Sequence, residues 1–156
     1  MPLEINGWTL RYHPVFGDRY RTLRDHVKLL KATLPDDEYK QHPEVKLLAA
    51  VHRALTKIIP EDPNRPDFWL KGNLAKFRRV KGYGLPDRYR LLYVFSQQAK
   101  AVIVLYLNEG GTLRKEGAKT DPYEIFKNLV RSGKVGADFD KNLAHWKAAH
   151  RDEAGR

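Results

Sequence analysis

The chain of 156 residues contains no cysteine, which excludes disulfide bonds and zinc sites with thiolate ligands. No apolar stretch approaches the roughly 20 residues that a membrane-spanning helix needs. The first residues lack the basic start and the apolar run of a secretion signal. Together these absences lead us to expect a cytoplasmic protein that does not associate with a membrane.

The sequence also lacks the usual motifs of several enzyme classes. The segment Gly82-Tyr83-Gly84 has neither the lysine nor the Ser/Thr of a phosphate-binding P-loop. The six histidines form no His-Glu-x-x-His pair or other strong metal-binding spacing, and no Gly-x-Ser-x-Gly motif marks a serine nucleophile. We therefore expect no metal site and no cofactor.

Positive charge, by contrast, is abundant and unevenly distributed. The formal net charge is +10, and residues 68–119 carry eleven Lys or Arg against three acids, which is +8 of that total. Both flanks are nearly neutral. Because this segment also has the pattern of β-strands, the excess charge is predicted to lie on one folded surface. Such a surface favours binding to a polyanion, and RNA is the polyanion that we expect.

A strand and two amphipathic helices are predicted in the first half of the chain. The strand is indicated by alternation of apolar and polar residues from Trp8 to Tyr12. The first helix places six apolar residues on one face: Phe16, Tyr20, Leu23, Val27, Leu30 and Leu34. The second helix does the same with five: Val45, Leu48, Val51, Leu55 and Ile59. Pro35 should end the first helix and Pro60 the second, so the two are expected to form an antiparallel hairpin.

A sheet and further helices are predicted in the second half. A basic strand over residues 74–81 and a strand over 88–95 flank a Gly-Pro-rich turn, and a third strand over 102–107 is apolar throughout. The third strand should be central, since it needs cover on both faces, and the basic strand should lie nearer an edge. A helix start is indicated by Asp121-Pro122-Tyr123-Glu124, and a last helix is expected around Leu143 and Trp146.

These elements predict an α+β fold in a single domain of residues 1–156. Its core covers about residues 5–140, and residues 141–156 form a tail that includes a frayed helix. The sheet should be mainly antiparallel, because the turns between the later strands are too short for a crossover connection.

The basic residues of the predicted hairpin can carry chemistry. Alternation along the first strand places Arg79 and Lys81 on one face, and Arg88 and Arg90 share one face of the next strand. If the two strands pair, the basic residues of one strand lie beside those of the other. A cluster of this kind can bind a phosphate and stabilise the extra negative charge of a pentacovalent phosphorane. RNA supplies its own nucleophile, the 2′-OH, so this route requires no metal ion.

Three other interpretations stay open from the residues alone. Charged side chains on exposed strands can simply be solvated and can discourage edge-to-edge aggregation. The same charge also suits a non-catalytic module that binds RNA or the ribosome. A repressor-like protein that meets an acidic antitoxin and DNA is the last alternative, and no helix-turn-helix pattern supports direct reading of DNA.

Several blocks of the sequence, in their order and spacing, resemble one known family. They are Asn6-Gly7-Trp8, His13-Pro14 with Phe16, the stretch from Lys46 to His52, Arg79-Val80-Lys81, Arg88-Tyr89-Arg90-Leu91, Thr112-Leu113-Arg114, and Lys119-Thr120-Asp121 with Tyr123 and Phe126. Over about residues 5–140 the chain resembles the YhaV-type toxins of bacterial type II toxin–antitoxin systems, a branch of the RelE-like ribonuclease superfamily.

The resemblance implies a RelE-like fold, in which an N-terminal strand and a helical hairpin pack on a curved, mainly antiparallel sheet with C-terminal helices. It also implies an endoribonuclease that cleaves mRNA without a metal ion or cofactor and so inhibits translation and growth. The implied partners are mRNA, free or on the ribosome, and a cognate PrlF-like antitoxin. DNA is then reached only through the antitoxin complex.

The same resemblance implies roles for individual residues. Arg79 and Lys81 are expected at the scissile phosphate. Arg88 and Arg90 are expected to position RNA or stabilise charge, and Tyr123 or a lysine is expected to shuttle the proton. The full set of expected catalytic residues is Arg79, Lys81, Arg88, Arg114, Lys119 and Tyr123. The expected RNA-binding residues are Lys76, Arg78, Arg90 and Lys115.

Overall fold

The computed structural model of the protein describes residues 2–110 and 120–151. The helices are α1 Pro14–Thr33, α2 Asp36–Gln41, α3 Pro43–Arg53, α4 Ile59–Glu61, α5 Pro122–Arg131 and α6 Phe139–Ala149. The strands are β1 Leu3–Ile5, β2 Trp8–Tyr12, β3 Arg78–Val80, β4 Leu91–Ser96 and β5 Ala101–Leu107. The predicted α+β class is confirmed. None of the described helices is both long and apolar enough to cross a membrane.

The strands form one mixed sheet in the order β1-β2-β5-β4-β3. Three neighbouring pairs are antiparallel, and β2 pairs with β5 in parallel. The apolar strand β5 is central, as predicted, and of its seven residues only Tyr106 is not fully buried. The basic strand β3 lies at an edge, which was also predicted. An edge position leaves side chains of β3 accessible to a ligand.

Each face of the sheet carries a hydrophobic core. On one face, Leu91 of β4 belongs to a cluster with α1 and α3 residues such as Phe16 and Leu47. On the other face, Leu92 belongs to a cluster that contains the fully buried Phe126 of α5. Neighbouring residues of β4 thus enter different cores, as the two-residue period of a strand requires.

The N-terminal helices match the prediction in part. Helix α1 buries four of the six residues predicted to face the core: Phe16, Tyr20, Leu23 and Val27. In α3 the predicted Val45 and Leu48 are only partly buried, whereas the predicted Val51 is fully buried together with Leu47, which was not predicted. The segment between the two predicted helices forms the short helix α2, whose first turn holds three acids that favour a helix N-terminus.

Pro60 does not end the second helix, contrary to the prediction. Residues Ala54–Ile58 form a π-helical turn, in which the Ile59 N–H donates to the Ala54 carbonyl, and α4 then includes Pro60. A π-turn shifts hydrogen bonding by one residue along the helix. The carbonyl that normally clashes with a proline ring is thereby displaced, so the helix tolerates Pro60.

The two basic strands are shorter than predicted. The strand expected over residues 74–81 is reduced to β3, and the strand expected over 88–95 begins only at Leu91. Arg88 and Arg90 therefore precede β4, and the prediction that they share one of its faces is wrong. The physical reason is that Arg88 has φ of +69°, a left-handed conformation that interrupts an extended strand.

Helix α5 is fixed over the sheet near its start. Asp121 caps it as predicted, because the Asp121 Oδ1 accepts a hydrogen bond from the N–H of Tyr123 at 3.2 Å, and Pro122 occupies the first position. Phe126 packs edge-to-face on Phe77, with the ring centroids 4.9 Å apart. Tyr123 is three residues before Phe126 and so lies on the same side of the helix. This packing directs Tyr123 toward the sheet.

A pair of histidines joins α6, the predicted last helix, to the start of α1. The buried His13 accepts a hydrogen bond from the Val15 N–H at its Nδ1 and so caps α1. Neutral His13 therefore carries its proton on Nε2, which lies 2.9 Å from Nδ1 of His145. Burial and the neighbouring His145 lower the pKa of His13 to about 4. Beside this pair, the Arg11 guanidinium lies over the Trp146 ring at 4.8 Å.

Stability should depend on pH through His13. The pKa of His13 in the folded state, about 4, is below the ordinary value of 6.5. The unfolded chain therefore binds more protons between these two pH values. The free energy of unfolding should fall as pH drops through this window, by about 1.4 kcal/mol per pH unit from this group. Chemical denaturation at several pH values measures the slope.

Two variants separate this effect from the titration of other groups. His13→Asn keeps a side chain that can cap a helix but removes the titrating ring, so its slope should be flatter than that of the wild type. His52→Gln changes an exposed histidine of α3 and should leave the slope unchanged. Equal slopes for the wild type and His13→Asn contradict the prediction.

Candidate active site

Two arginines from different elements meet at one phenol oxygen. Arg79 is the middle residue of β3, Arg90 directly precedes β4, and Tyr123 is the second residue of α5. The Nε of Arg79 donates to the Tyr123 hydroxyl at 3.0 Å, and the Nε of Arg90 donates to the same oxygen at 3.2 Å. A phenol oxygen can accept both bonds. The arrangement therefore gathers two positive charges within hydrogen-bonding distance of one neutral oxygen.

Backbone carbonyls fix the orientation of both guanidinium groups. The Nη1 of Arg79 donates to the Asp67 carbonyl at 2.6 Å, and the Nη1 of Arg90 donates to the Tyr89 carbonyl at 2.8 Å. Within residues 2–110 and 120–151, the Nη2 of each arginine has no hydrogen-bond partner, and neither arginine forms an ion pair with a carboxylate. The positive charge of the pair is thus not neutralised by the described side chains.

Two adjoining hollows open beside these arginines. The first hollow, of about 750 Å³, is lined by five cations and the phenol among other residues: Lys71, Arg79, Lys81, Arg90, Lys127 and Tyr123. The second hollow, of about 500 Å³, is lined by a different set that includes Asp67, Leu85 and Pro86. Arg79, Lys81 and Arg90 line both hollows. Each volume lies in the range typical of sites for small ligands.

The acids of the first hollow already have structural roles. Asp121 caps α5, and the Glu124 carboxylate forms an ion pair with Lys127 at 3.3 Å. Lys81 is exposed at the rim, and Arg90 is buried with only 6% exposure. An anion that enters the first hollow therefore meets a fixed arginine pair and a mobile lysine head group, which is an arrangement suited to a phosphate.

Asn108 anchors the segment that carries Arg90. Asn108 directly follows β5 and is fully buried. Its Oδ1 accepts a hydrogen bond from the Arg90 N–H at 2.8 Å, and its Nδ2 donates one to the Arg88 carbonyl at 3.2 Å. Its own carbonyl accepts from Nη2 of Arg19 at 3.1 Å. One side chain thus ties the turn before β4 to the end of the central strand.

Comparison with known proteins identifies the family. Residues 10–147 match the model of a family described as a toxin with endonuclease activity, of a toxin–antitoxin system, named Toxin YhaV. The chain belongs to the YhaV toxin family. Toxin YhaV of Escherichia coli O6:H1 (strain CFT073) is 34% identical over 155 residues, which cover 96% of this chain and 98% of that relative. Ribonuclease toxin YhaV of Escherichia coli K12 is 35% identical over 145 residues, which cover 89% and 92%. No solved structure matches the chain significantly.

Membership of the YhaV family establishes the class of the protein. The chain is a toxin with endonuclease activity, and a toxin of a toxin–antitoxin system has a cognate antitoxin. The predictions of a toxin, of an enzyme and of an antitoxin partner are confirmed, and the non-catalytic alternative is excluded. In the described parts of this YhaV toxin, no group of three or more His, Asp or Glu side chains is arranged to hold a metal ion.

The structure brings together some of the residues expected in the site and separates others. Arg79, Lys81, Arg90 and Tyr123 line the first hollow. Arg88 and Lys76 are exposed and line neither hollow. Three further expected residues lie outside the described residues: Arg114, Lys115 and Lys119.

Arg78 points to the opposite side of β3 from Arg79. The Nε of Arg78 donates to the Asn64 Oδ1 at 3.1 Å, and its guanidinium lies over the rings of Trp69 and Phe95 at 5.9 and 5.5 Å. These contacts give Arg78 a role in joining β3 to the preceding segment. Burial lowers the pKa of Arg78 from its ordinary value, which leaves it charged at neutral pH.

Sequence reasoning missed several residues that line or build the site of this YhaV toxin. Lys127 is one helical turn after Tyr123, and that spacing was a usable signal for a shared face. Lys71 lies next to a short 3₁₀ turn, and no periodic pattern in the sequence predicts that turn. The sequence analysis did not predict a role for Asn108. Its signal was a polar residue directly after an apolar strand.

Replacing Asn108 with alanine should destabilise this YhaV toxin. The change removes the acceptor of the buried Arg90 N–H and the donor to the Arg88 carbonyl. Unsatisfied buried groups of this kind cost about 1–3 kcal/mol, so the free energy of unfolding should fall by that amount. Urea denaturation measures it.

Asn128→Ala serves as the matched control. Asn128 is exposed on α5, where its side chain accepts one hydrogen bond from Arg131. Its loss should change the free energy of unfolding by about 0.5 kcal/mol or less. If Asn108→Ala is as stable as Asn128→Ala, the anchoring role of Asn108 is disproved.

Proposed function

We propose that this chain is an endoribonuclease that cleaves mRNA without a metal ion, by attack of the RNA 2′-OH on the adjacent phosphate. The observation that carries the proposal is the pair of unneutralised guanidinium groups, Arg79 and Arg90, fixed around the Tyr123 hydroxyl in an open hollow. The printed name of the Escherichia coli K12 relative, a ribonuclease toxin, supports RNA as the substrate.

The reaction exchanges one bond to phosphorus for another. The 2′-oxygen forms a bond to phosphorus and gives its proton to a water molecule, and the bond to the 5′-oxygen of the next nucleotide breaks. The products are a 2′,3′-cyclic phosphate and a 5′-hydroxyl, which needs a proton. Between them lies a phosphorane with additional negative charge on its oxygens, so fixed cations lower its energy more than that of the substrate.

Each described residue of the site then has a distinct task. The free Nη2 atoms of Arg79 and Arg90 donate to the oxygens of the scissile phosphate, and Lys81 adds charge from the rim. The hydrogen bonds from both arginines hold the Tyr123 hydroxyl at the first hollow. Its proton goes to the departing 5′-oxygen, which makes Tyr123 the general acid.

The remaining basic residues guide the RNA chain. Arg88 and Lys76 are exposed near the turn and the edge strand, where they attract the backbone of a bound RNA without touching the reacting atoms. We assign Arg114, Lys115 and Lys119, which come from the C-terminal part of the chain, to contact with the bound RNA, as the family resemblance implies. Arg114 and Lys119 also contribute to catalysis there.

The antitoxin neutralises the toxin by blocking the access of RNA to the two hollows. A cognate PrlF-like antitoxin inhibits the enzyme when it covers the arginine pair and excludes RNA. Free of antitoxin, the toxin acts in the cytoplasm on mRNA, including mRNA on the ribosome, and so stops translation and growth.

Purified protein should cleave RNA in excess EDTA and leave 2′,3′-cyclic phosphate ends. Arg79→Ala should lower the cleavage rate by on the order of 10²-fold or more, because one of the two charge-stabilising donors is lost. End analysis by mass spectrometry identifies the products. Arg53→Ala, which removes an exposed guanidinium from α3, should retain the wild-type rate. Cleavage that appears only with added magnesium contradicts the mechanism.

Tyr123→Phe tests the proton-transfer step. The variant keeps the ring but lacks the hydroxyl, so the cleavage rate should fall by roughly 10²-fold. RNA binding should weaken less than the rate, because the carbonyls of Asp67 and Tyr89 still hold the two arginines. Single-turnover kinetics and a filter-binding titration at fixed salt measure the two quantities separately. A Tyr123→Phe enzyme with the wild-type rate assigns the proton transfer to a lysine instead.

A further inference from the structure

The second hollow differs in chemistry from the first. Its lining includes Leu85, which is only 6% exposed, the half-buried Pro86 and the exposed Asp87. Its wall includes the carboxylate-bearing Asp67, while Arg79 and Arg90 stand at the boundary with the first hollow. An apolar surface beside a hydrogen-bond acceptor suits a ligand with a flat apolar face and a polar edge. A nucleobase is such a ligand.

Asp67 is held in place from two sides. Its carbonyl accepts a hydrogen bond from Nη1 of Arg79 at 2.6 Å, and its Oδ2 accepts one from the Tyr83 hydroxyl at 2.6 Å. The hydrogen bond to Asp67 is the main reason that the pKa of Tyr83 is raised, so this phenol stays a donor at neutral pH. The Arg65 guanidinium, 5.3 Å from the centre of the Tyr83 ring, packs against that ring in turn. The carboxylate is therefore oriented before any ligand arrives.

The other carboxylate oxygen of Asp67 is available to a ligand. Among residues 2–110 and 120–151, the Oδ1 atom of Asp67 has no hydrogen-bond or ion-pair partner. A phosphate placed against this oxygen is repelled, because both groups are negative. A base that presents an amino group is attracted, because a carboxylate accepts hydrogen bonds from amino donors such as N4 of cytosine.

We propose that the second hollow binds the base of a nucleotide next to the scissile phosphate, and that Asp67 selects bases with an amino group over uracil. This inference rests on the proposed ribonuclease function. Adenine, cytosine and guanine each offer an amino group to the carboxylate. Uracil offers only its N3–H, which lies between two carbonyl oxygens that the carboxylate repels. Leu85 and Pro86 contact the face of the base whatever its identity.

The test compares cleavage of short single-site RNAs that differ at one nucleotide. Two sets of four oligonucleotides vary the base on the 5′ side and on the 3′ side of the cleaved bond. For the wild-type protein, kcat/KM should be lower for uracil than for the amino-bearing bases at one of these positions, by on the order of 10-fold. Asp67→Asn keeps the shape of the side chain but replaces an acceptor by a donor, so this preference should disappear or reverse.

Two further variants identify the cause. Tyr83→Phe removes the hydroxyl that orients the carboxylate, so the preference should weaken while cleavage of the uracil substrate stays unchanged. Asp36→Asn alters an exposed acid of α2 and should leave all ratios as in the wild type. Thermal unfolding of each variant establishes that it is folded.

The outcomes separate this inference from the proposed function. If the wild-type protein cleaves no RNA, the ribonuclease proposal fails and this inference fails with it. If the wild type cleaves RNA but Asp67→Asn shows the same base preference, or loses activity equally on all substrates, only the role of Asp67 in base selection is overturned. A wild type without any preference at either position overturns it as well.

Discussion

The site depends on the Tyr123 hydroxyl, which accepts hydrogen bonds from two guanidinium groups at once. Two positive charges repel each other, so Arg79 and Arg90 need fixed acceptors to remain close. The phenol oxygen and the carbonyls of Asp67 and Tyr89 supply those acceptors without supplying a full negative charge. The pair therefore keeps its positive potential. Had a carboxylate held the arginines, that potential for an incoming phosphate would be largely cancelled.

The fold brings these three residues together from distant parts of the chain. Arg79 comes from an edge strand, Arg90 from the turn before β4, and Tyr123 from a helix that follows about thirty residues later. Phe126 fixes α5 on the sheet, and Asn108 fixes the turn to the central strand. Both anchors are fully buried, so the core determines the distance between the arginines. The stability of the fold and the geometry of the site are thus set by the same contacts.

Regular patterns in the sequence predicted the elements but not their ends. The apolar run of β5 indicated a central strand, and alternation placed Arg79 and Lys81 together at one hollow. The expected strand start at Arg88 was wrong, because a left-handed residue leaves no periodic signal. The role of Asn108 was also missed, since it consists of bonds to residues about twenty positions away in the chain. Long-range bonds between a side chain and the backbone have no local pattern.

The basic residues of the segment 68–119 do not all face one hollow. Of its eight basic residues that the structure describes, four line the first hollow: Lys71, Arg79, Lys81 and Arg90. Arg78 instead joins β3 to the preceding segment, and the turn before β4 is held through the carbonyl of Arg88. A uniform positive surface attracts any polyanion and distinguishes none. Selectivity requires the opposite sign at a defined position, and we propose that Asp67 supplies it beside the arginine pair. In this proposal the first hollow provides cations for the phosphate and the second provides an acceptor for the base.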